Sequence, residues 1–212
     1  MENIIYYIFF CISIPLCLML ALLEKKSRLL IFYVATGMVT CIISAEINTF
    51  LKESLSLTVT YFVTNISPVT EEIIKLVPVL IHAMFVSRKR DELIGVSIAV
   101  GVGFSVLENI VYITADSKAL LADAVLRGFT GGLGHGLFTL ISGYGLSFAG
   151  SKKRYFLPGT VALINTSAVM HSVHNTLVMK NHYISALAIL VLIYVFILYL
   201  RYGVSTNKEK TV

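Results

Sequence analysis

Tryptophan is absent from the 212 residues, and charge is scarce, at 14% of side chains. An average soluble domain is about a quarter charged. Together with 57% hydrophobic residues and a mean hydropathy of +0.84, this argues against a soluble globular domain and against disorder. Cysteine is nearly missing too. Cys11, Cys17 and Cys41 each sit in an apolar run without Cys-x-x-Cys spacing, so they form neither a disulfide framework nor a thiolate zinc site. No basic stretch precedes the first apolar run and no small-residue cleavage site follows it, so that run reads as a span and not a secretory signal. There is no internal repeat, no Gly-x-Ser-x-Gly elbow and no His-Glu-x-x-His helix.

What is present is apolar and periodic. Continuous runs at about 4–23, 29–50, 69–86, 93–114, 124–147, 157–179 and 183–200 are each near the roughly 20 residues that cross a bilayer. They predict an all-α, polytopic membrane bundle of about seven transmembrane helices, with residues 1–212 forming one membrane-embedded domain. A barrel is disfavoured because the runs do not alternate. The 11 tyrosines take over the interfacial belt. The segment from Leu51 to Ser67 fits either an outer interfacial stretch or an extension of the second helix. Gly128, Gly131, Gly132, Gly134 and Gly136 suggest close helix contact or a broken helix.

The net charge of +5 points to basic loops and not to nucleic acid. Twelve of the 17 basic residues lie in alternate connections: Lys25, Lys26 and Arg28; Arg88, Lys89 and Arg90; Lys152, Lys153 and Arg154; Arg201, Lys208 and Lys210. The positive-inside bias then predicts an outside N-terminus and a cytoplasmic C-terminus, as in a multi-pass protein of the cell membrane.

Ionisable groups inside spans cost at least ~2.5 kcal/mol each and mark candidate sites. The third run carries Glu71, Glu72, Lys75 and His82; the fourth Glu108 with Asn109; the fifth Arg127 and His135; the sixth His171, His174 and Asn175. Glu46 and His82 read as structural. With the predicted orientation, Glu108 lies ~9 Å and His135 ~12 Å below the outer ends of their helices at 1.5 Å per residue. Four helices thereby bring their expensive groups to one layer. Lys75 is within reach of either Glu71 or Glu72, and His171, His174 and Asn175 share one helix face.

A carboxylate with a neutral imidazole can activate water, and an imidazole with an amide can meet a developing oxyanion. That is the chemistry of peptide hydrolysis. Zinc held by His135, His171, His174 and a glutamate is an alternative that spacing does not decide. An ion-coupled transporter relaying protons through the same groups, and a scaffold held by buried charges, are the competing classes.

Glu71-Glu72-Ile-Ile-Lys75, Gly103-Phe104-Ser-Val-Leu-Glu108-Asn109, Arg127 with His135, and His171-Ser-Val-His174-Asn175 resemble the PrsW family of bacterial intramembrane proteases. The likeness spans about residues 68–176. It is more distant to the CAAX prenyl endopeptidase and bacteriocin-processing group. The resemblance implies cleavage of a membrane-anchored protein such as an anti-sigma factor, without a metal. Glu71 and Glu72 would supply the general base and its partner, and His135 would help to activate water. His171 and Asn175 would form the oxyanion site, with Lys75, Glu108, Asn109, Arg127 and His174 in support. A single-span substrate cut on the outer side suits the predicted orientation better than a prenylated, cytoplasmic C-terminus.

Overall fold

The computed structural model describes residues 23–115, 121–151 and 153–199, together with Ile5, Phe9, Ile12 and Ile14. Most of the first apolar run, with Cys11 and Cys17, lies outside the described residues, as do Lys118, Lys152 and the C-terminal basic residues. The other six apolar runs each become a long helix: α1 (Lys25–Leu55), α2 (Ser67–Phe85), α3 (Arg90–Ala115), α4 (Leu121–Leu146), α5 (Phe156–Met179) and α6 (Tyr183–Leu198). The described residues contain no strand. Ser27–Leu55 and Arg90–Ala115 are long and apolar enough to cross a membrane, and Tyr183–Leu198 is a shorter apolar helix.

The stretch at 51–67 divides between the two expectations. Helix α1 extends to Leu55 and ends where Ser56 turns left-handed, with φ of 49°. A single turn at Val59–Tyr61, capped by the Thr58 hydroxyl, leads into a π-helical turn at Phe62–Ile66 and then into α2. Pro68 stands in the first turn of α2, where its missing N–H costs nothing.

Helix α3 is the axis of the bundle and packs along α1 and α4; α5 lies against α4, and α2 touches α1, α3, α4 and α5. Two glycines let α1 and α3 approach closely. A Cβ on Gly37 would collide with the Val100 carbonyl, and one on Gly103 with that of Val34. Gly101 does the same for α4, since its Cβ would strike the backbone at His135. Helix α4 itself is unbroken through its glycines, and open space surrounds Gly128. The series therefore marks packing, and only in part at the positions the sequence suggested.

One apolar core joins Tyr33, Leu76, Val79, Leu93, Val96, Val100 and Leu146; another joins Met38, Cys41, Phe104 and Leu107. Outside these cores the usual soluble arrangement is inverted. Glu71, Glu72, Lys75, His82, His135 and His171 are buried, whereas Phe85, Leu121, Ile184 and Leu192 are exposed. Water would penalise such a surface and a lipid phase would not. His82 Nδ1 meets the Tyr33 hydroxyl at 2.9 Å and its Nε2 lies 3.2 Å from Glu92, apart from the other buried ionisable groups.

Candidate active site

Glu71 and Glu72 project about 100° apart around α2, as neighbours on any helix must. The fold gives them different surroundings. Glu72 is 1% exposed and forms an ion pair with Lys75, itself fully buried one turn further on. His171 donates from Nδ1 to Oε1 of Glu72 over 2.9 Å. The Ser167 hydroxyl lies 2.9 Å from the other Glu72 oxygen and 2.8 Å from the Phe138 carbonyl. A carboxylate paired with an ammonium accepts and does not donate, so the His171 hydrogen is assigned to Nδ1. Its Nε2 then keeps a free lone pair. That nitrogen lies 3.7 Å from Oε2 of Glu71.

Glu71 is bound through one oxygen only. Its Oε1 accepts from the Ser67 hydroxyl, while Oε2 is buried and has no hydrogen-bond partner among the described residues. His135 is fixed from both sides. Lys75 donates to its Nδ1 at 2.9 Å, so the ring hydrogen is assigned to Nε2, which donates to Glu108 at 2.9 Å. Arg127 stands 3.9 Å from Glu108 and lies over the Tyr112 ring at 4.0 Å. The His135 and His171 rings meet edge to face at 4.9 Å, and Phe138 stacks on His171 at 5.3 Å.

These groups surround a cavity of about 320 Å³ between α2, α3, α4 and α5. Glu71, Glu108, His135 and His171 are in its wall, which also includes Arg127, His174 and Asn175. Glu72 and Lys75 stand behind it. Asn175 donates one amide hydrogen to the Val63 carbonyl, and His174 approaches Asn175 Oδ1 at 3.4 Å. Asn109 ties α3 to α4 by donating to the Arg127 carbonyl.

Glu71, His135 and His171 offer ligand atoms within 4.8 Å of one another, a group that could hold a metal ion. His174, included in the zinc set considered from sequence, is not part of this group. Two donors are open as they stand: the unpartnered Oε2 of Glu71 and the Nε2 lone pair of His171. His135 is not, because Lys75 and Glu108 occupy its two nitrogens. The donor set thus fits a metal in part.

A family model described as PrsW family intramembrane metalloprotease matches residues 25–200. The chain belongs to this family. Membership carries with it proteolysis within the membrane. Comparisons with curated proteins and with solved structures give no match.

Among the site residues that escaped the sequence reading are Asn48, Ser67 and Ser167. Two carried a signal. Ser67 precedes Glu71 by four residues, and Ser167 precedes His171 by four, which places each hydroxyl one turn away on the same face. Asn48 had none, because its partners Ser67 and Glu71 come from a different helix.

Proposed function

We propose that this chain is a multi-pass endopeptidase of the bacterial plasma membrane. It crosses the bilayer about seven times, with the N-terminus outside and the C-terminus in the cytoplasm. It hydrolyses a peptide bond of a single-span protein in the outer half of the membrane; a membrane-anchored anti-sigma factor is a substrate of this kind. The observation that carries the reading is the pair of open acceptors at the cavity wall, Glu71 Oε2 and His171 Nε2, 3.7 Å apart.

A water held by these two atoms loses its proton to them as its oxygen attacks the scissile carbonyl carbon. The new C–O bond pushes the carbonyl electron pair onto oxygen. Arg127, whose buried Nε–H has no partner among the described residues, and the second amide hydrogen of Asn175 are donors available for that charge. Collapse then breaks the C–N bond, and the stored proton passes to the leaving amine. Glu72 fixes the His171 tautomer and offsets the charge that the ring gains. With Nδ1 bound to Glu72, neutral His171 accepts at the cavity, which favours a proton carrier over the oxyanion donor inferred from the family resemblance. His135 and Glu108 hold the far wall, linked through Lys75 to Glu72.

A second reading has a specific observation behind it. A divalent ion such as zinc, bound by Glu71, His135 and His171, would act as a Lewis acid on the reacting oxygen. We favour the carboxylate–imidazole mechanism because a buried ammonium donates to one of the three ligands, and that charge opposes a dication. Purified protein incubated with a single-span substrate, with and without a strong chelator, tests both points. Cleavage that survives chelation supports the proposal; cleavage lost to chelation and restored by zinc supports the second reading. No cleavage in either condition contradicts the enzyme assignment.

A further inference from the structure

Glu71 stands between two cavities. The site cavity lies on one side of it. On the other, a second cavity of about 290 Å³ opens between α1, the Phe62–Ile66 turn and α3, and Asn48, Ser67, Glu71 and Glu108 are in its wall. The two spaces are of similar size, so sterics alone give the Glu71 carboxylate no reason to face the site cavity.

Hydrogen bonds supply the direction. The Thr70 hydroxyl donates to Asn48 Oδ1; Asn48 Nδ2 donates to Ser67 Oγ at 2.8 Å; and the Ser67 hydroxyl donates to Glu71 Oε1. Asn48 Nδ2 also reaches the same carboxylate oxygen at 3.5 Å. Ser67 has one hydroxyl hydrogen, and accepting from Asn48 leaves that hydrogen for Glu71. Asn48 Nδ2 also comes within 3.5 Å of Ser44 Oγ, and the Thr70 hydroxyl within 2.9 Å of the Ser67 carbonyl, but both donors that reach Glu71, Ser67 and Asn48, meet it at Oε1. The other oxygen is left unpartnered and near His171 Nε2.

We infer that Ser67 and Asn48 are positioning residues: they anchor Oε1 of Glu71 so that Oε2 meets the substrate water, and they keep the carboxylate out of the second cavity. The inference deepens the proteolytic reading and rests on it for the identity of the water. The orientation of the carboxylate can be measured without it.

The test uses the full-length protein in proteoliposomes. Ser67→Ala removes the donor, Ser67→Thr keeps it, and Asn48→Ala removes the support behind it. Thr36→Ala is the control, since that hydroxyl bonds only to its own helix carbonyl at Phe32. The infrared carboxylate band of Glu71, identified as the one lost in Glu71→Gln, should shift in Ser67→Ala and Asn48→Ala and hold its place in Ser67→Thr. In cleavage assays, kcat should fall about 100-fold in the two alanine variants with KM unchanged, the size expected of a misplaced reacting group. Ser67→Thr should restore most of it. Should Ser67→Ala fail to fold, Asn48→Ala carries both readouts. An unmoved band overturns the inference whatever the protein cleaves, as does an unchanged kcat in both alanine variants. Absent cleavage in the unmodified protein overturns the protease reading instead and leaves the band to decide the positioning.

Discussion

His171 and Glu72, 99 positions apart, share a 2.9 Å hydrogen bond in the buried interface between α5 and α2. The same carboxylate oxygen takes the ammonium of Lys75, so an anion, a cation and an imidazole are all withdrawn from solvent at one point. Each member of such a cluster depends on the others. A buried charge without its partner is far more costly than the intact pair.

Removing one partner should therefore act on stability as well as activity. Glu72→Gln or Lys75→Met is expected to cost about 3–5 kcal/mol, the range for stranding one member of a buried pair. Thermal or denaturant unfolding in detergent reads this directly. The double variant should recover part of the loss, because neither charge is then left alone.

Glycine substitutions should separate by place and not by residue type. Gly103→Ala brings a Cβ against the Val34 carbonyl and should cost about 1–3 kcal/mol through overpacking. Gly128→Ala meets open space within α4 and should gain about 0.5–1 kcal/mol from helix propensity. Melting temperatures of the two variants should move in opposite directions.

The contrast also shows where sequence reasoning stops. The glycine run of α4 was conspicuous in the sequence, yet two of the tight approaches fall outside it, at Gly37 and Gly103, whose partners come from another helix. Periodicity reports which residues share a face, but not which face meets which neighbour. For that reason the sequence placed Lys75 within reach of Glu71 or Glu72 and could not choose; in the fold its ammonium lies between Glu72 and His135 of α4. Spacing placed His171, His174 and Asn175 together but could not say that His171 alone reaches both glutamates. The expensive charges were legible because each one stands out in an apolar run. Asn48 was not, because an amide costs less to bury and its partners come from another helix; Ser67 and Ser167 showed only through their four-residue spacing to Glu71 and His171.

Orientation gives a prediction independent of chemistry. A cysteine introduced at Asn181, between α5 and α6, should react with a membrane-impermeant thiol reagent applied to intact cells. One introduced at Lys89, between α2 and α3, should react only after lysis. The reverse pattern would place the site cavity toward the cytoplasm.

Metal content follows from the bonding of His135. Protein purified without chelator should carry well under one zinc per chain, and Lys75→Met should raise its zinc affinity by freeing Nδ1 for coordination. Isothermal titration on the purified protein and this variant checks both statements. A full equivalent of zinc bound by the unmodified chain would instead favour the metal reading.

The most direct measurement is cleavage of a single-span substrate by reconstituted protein, with the folded Glu71→Gln and His171→Ala variants compared against the unmodified chain. The proposal predicts loss of about 10²–10⁴-fold in kcat for each, the usual contribution of a positioned proton acceptor. Unimpaired cleavage by both variants would contradict it.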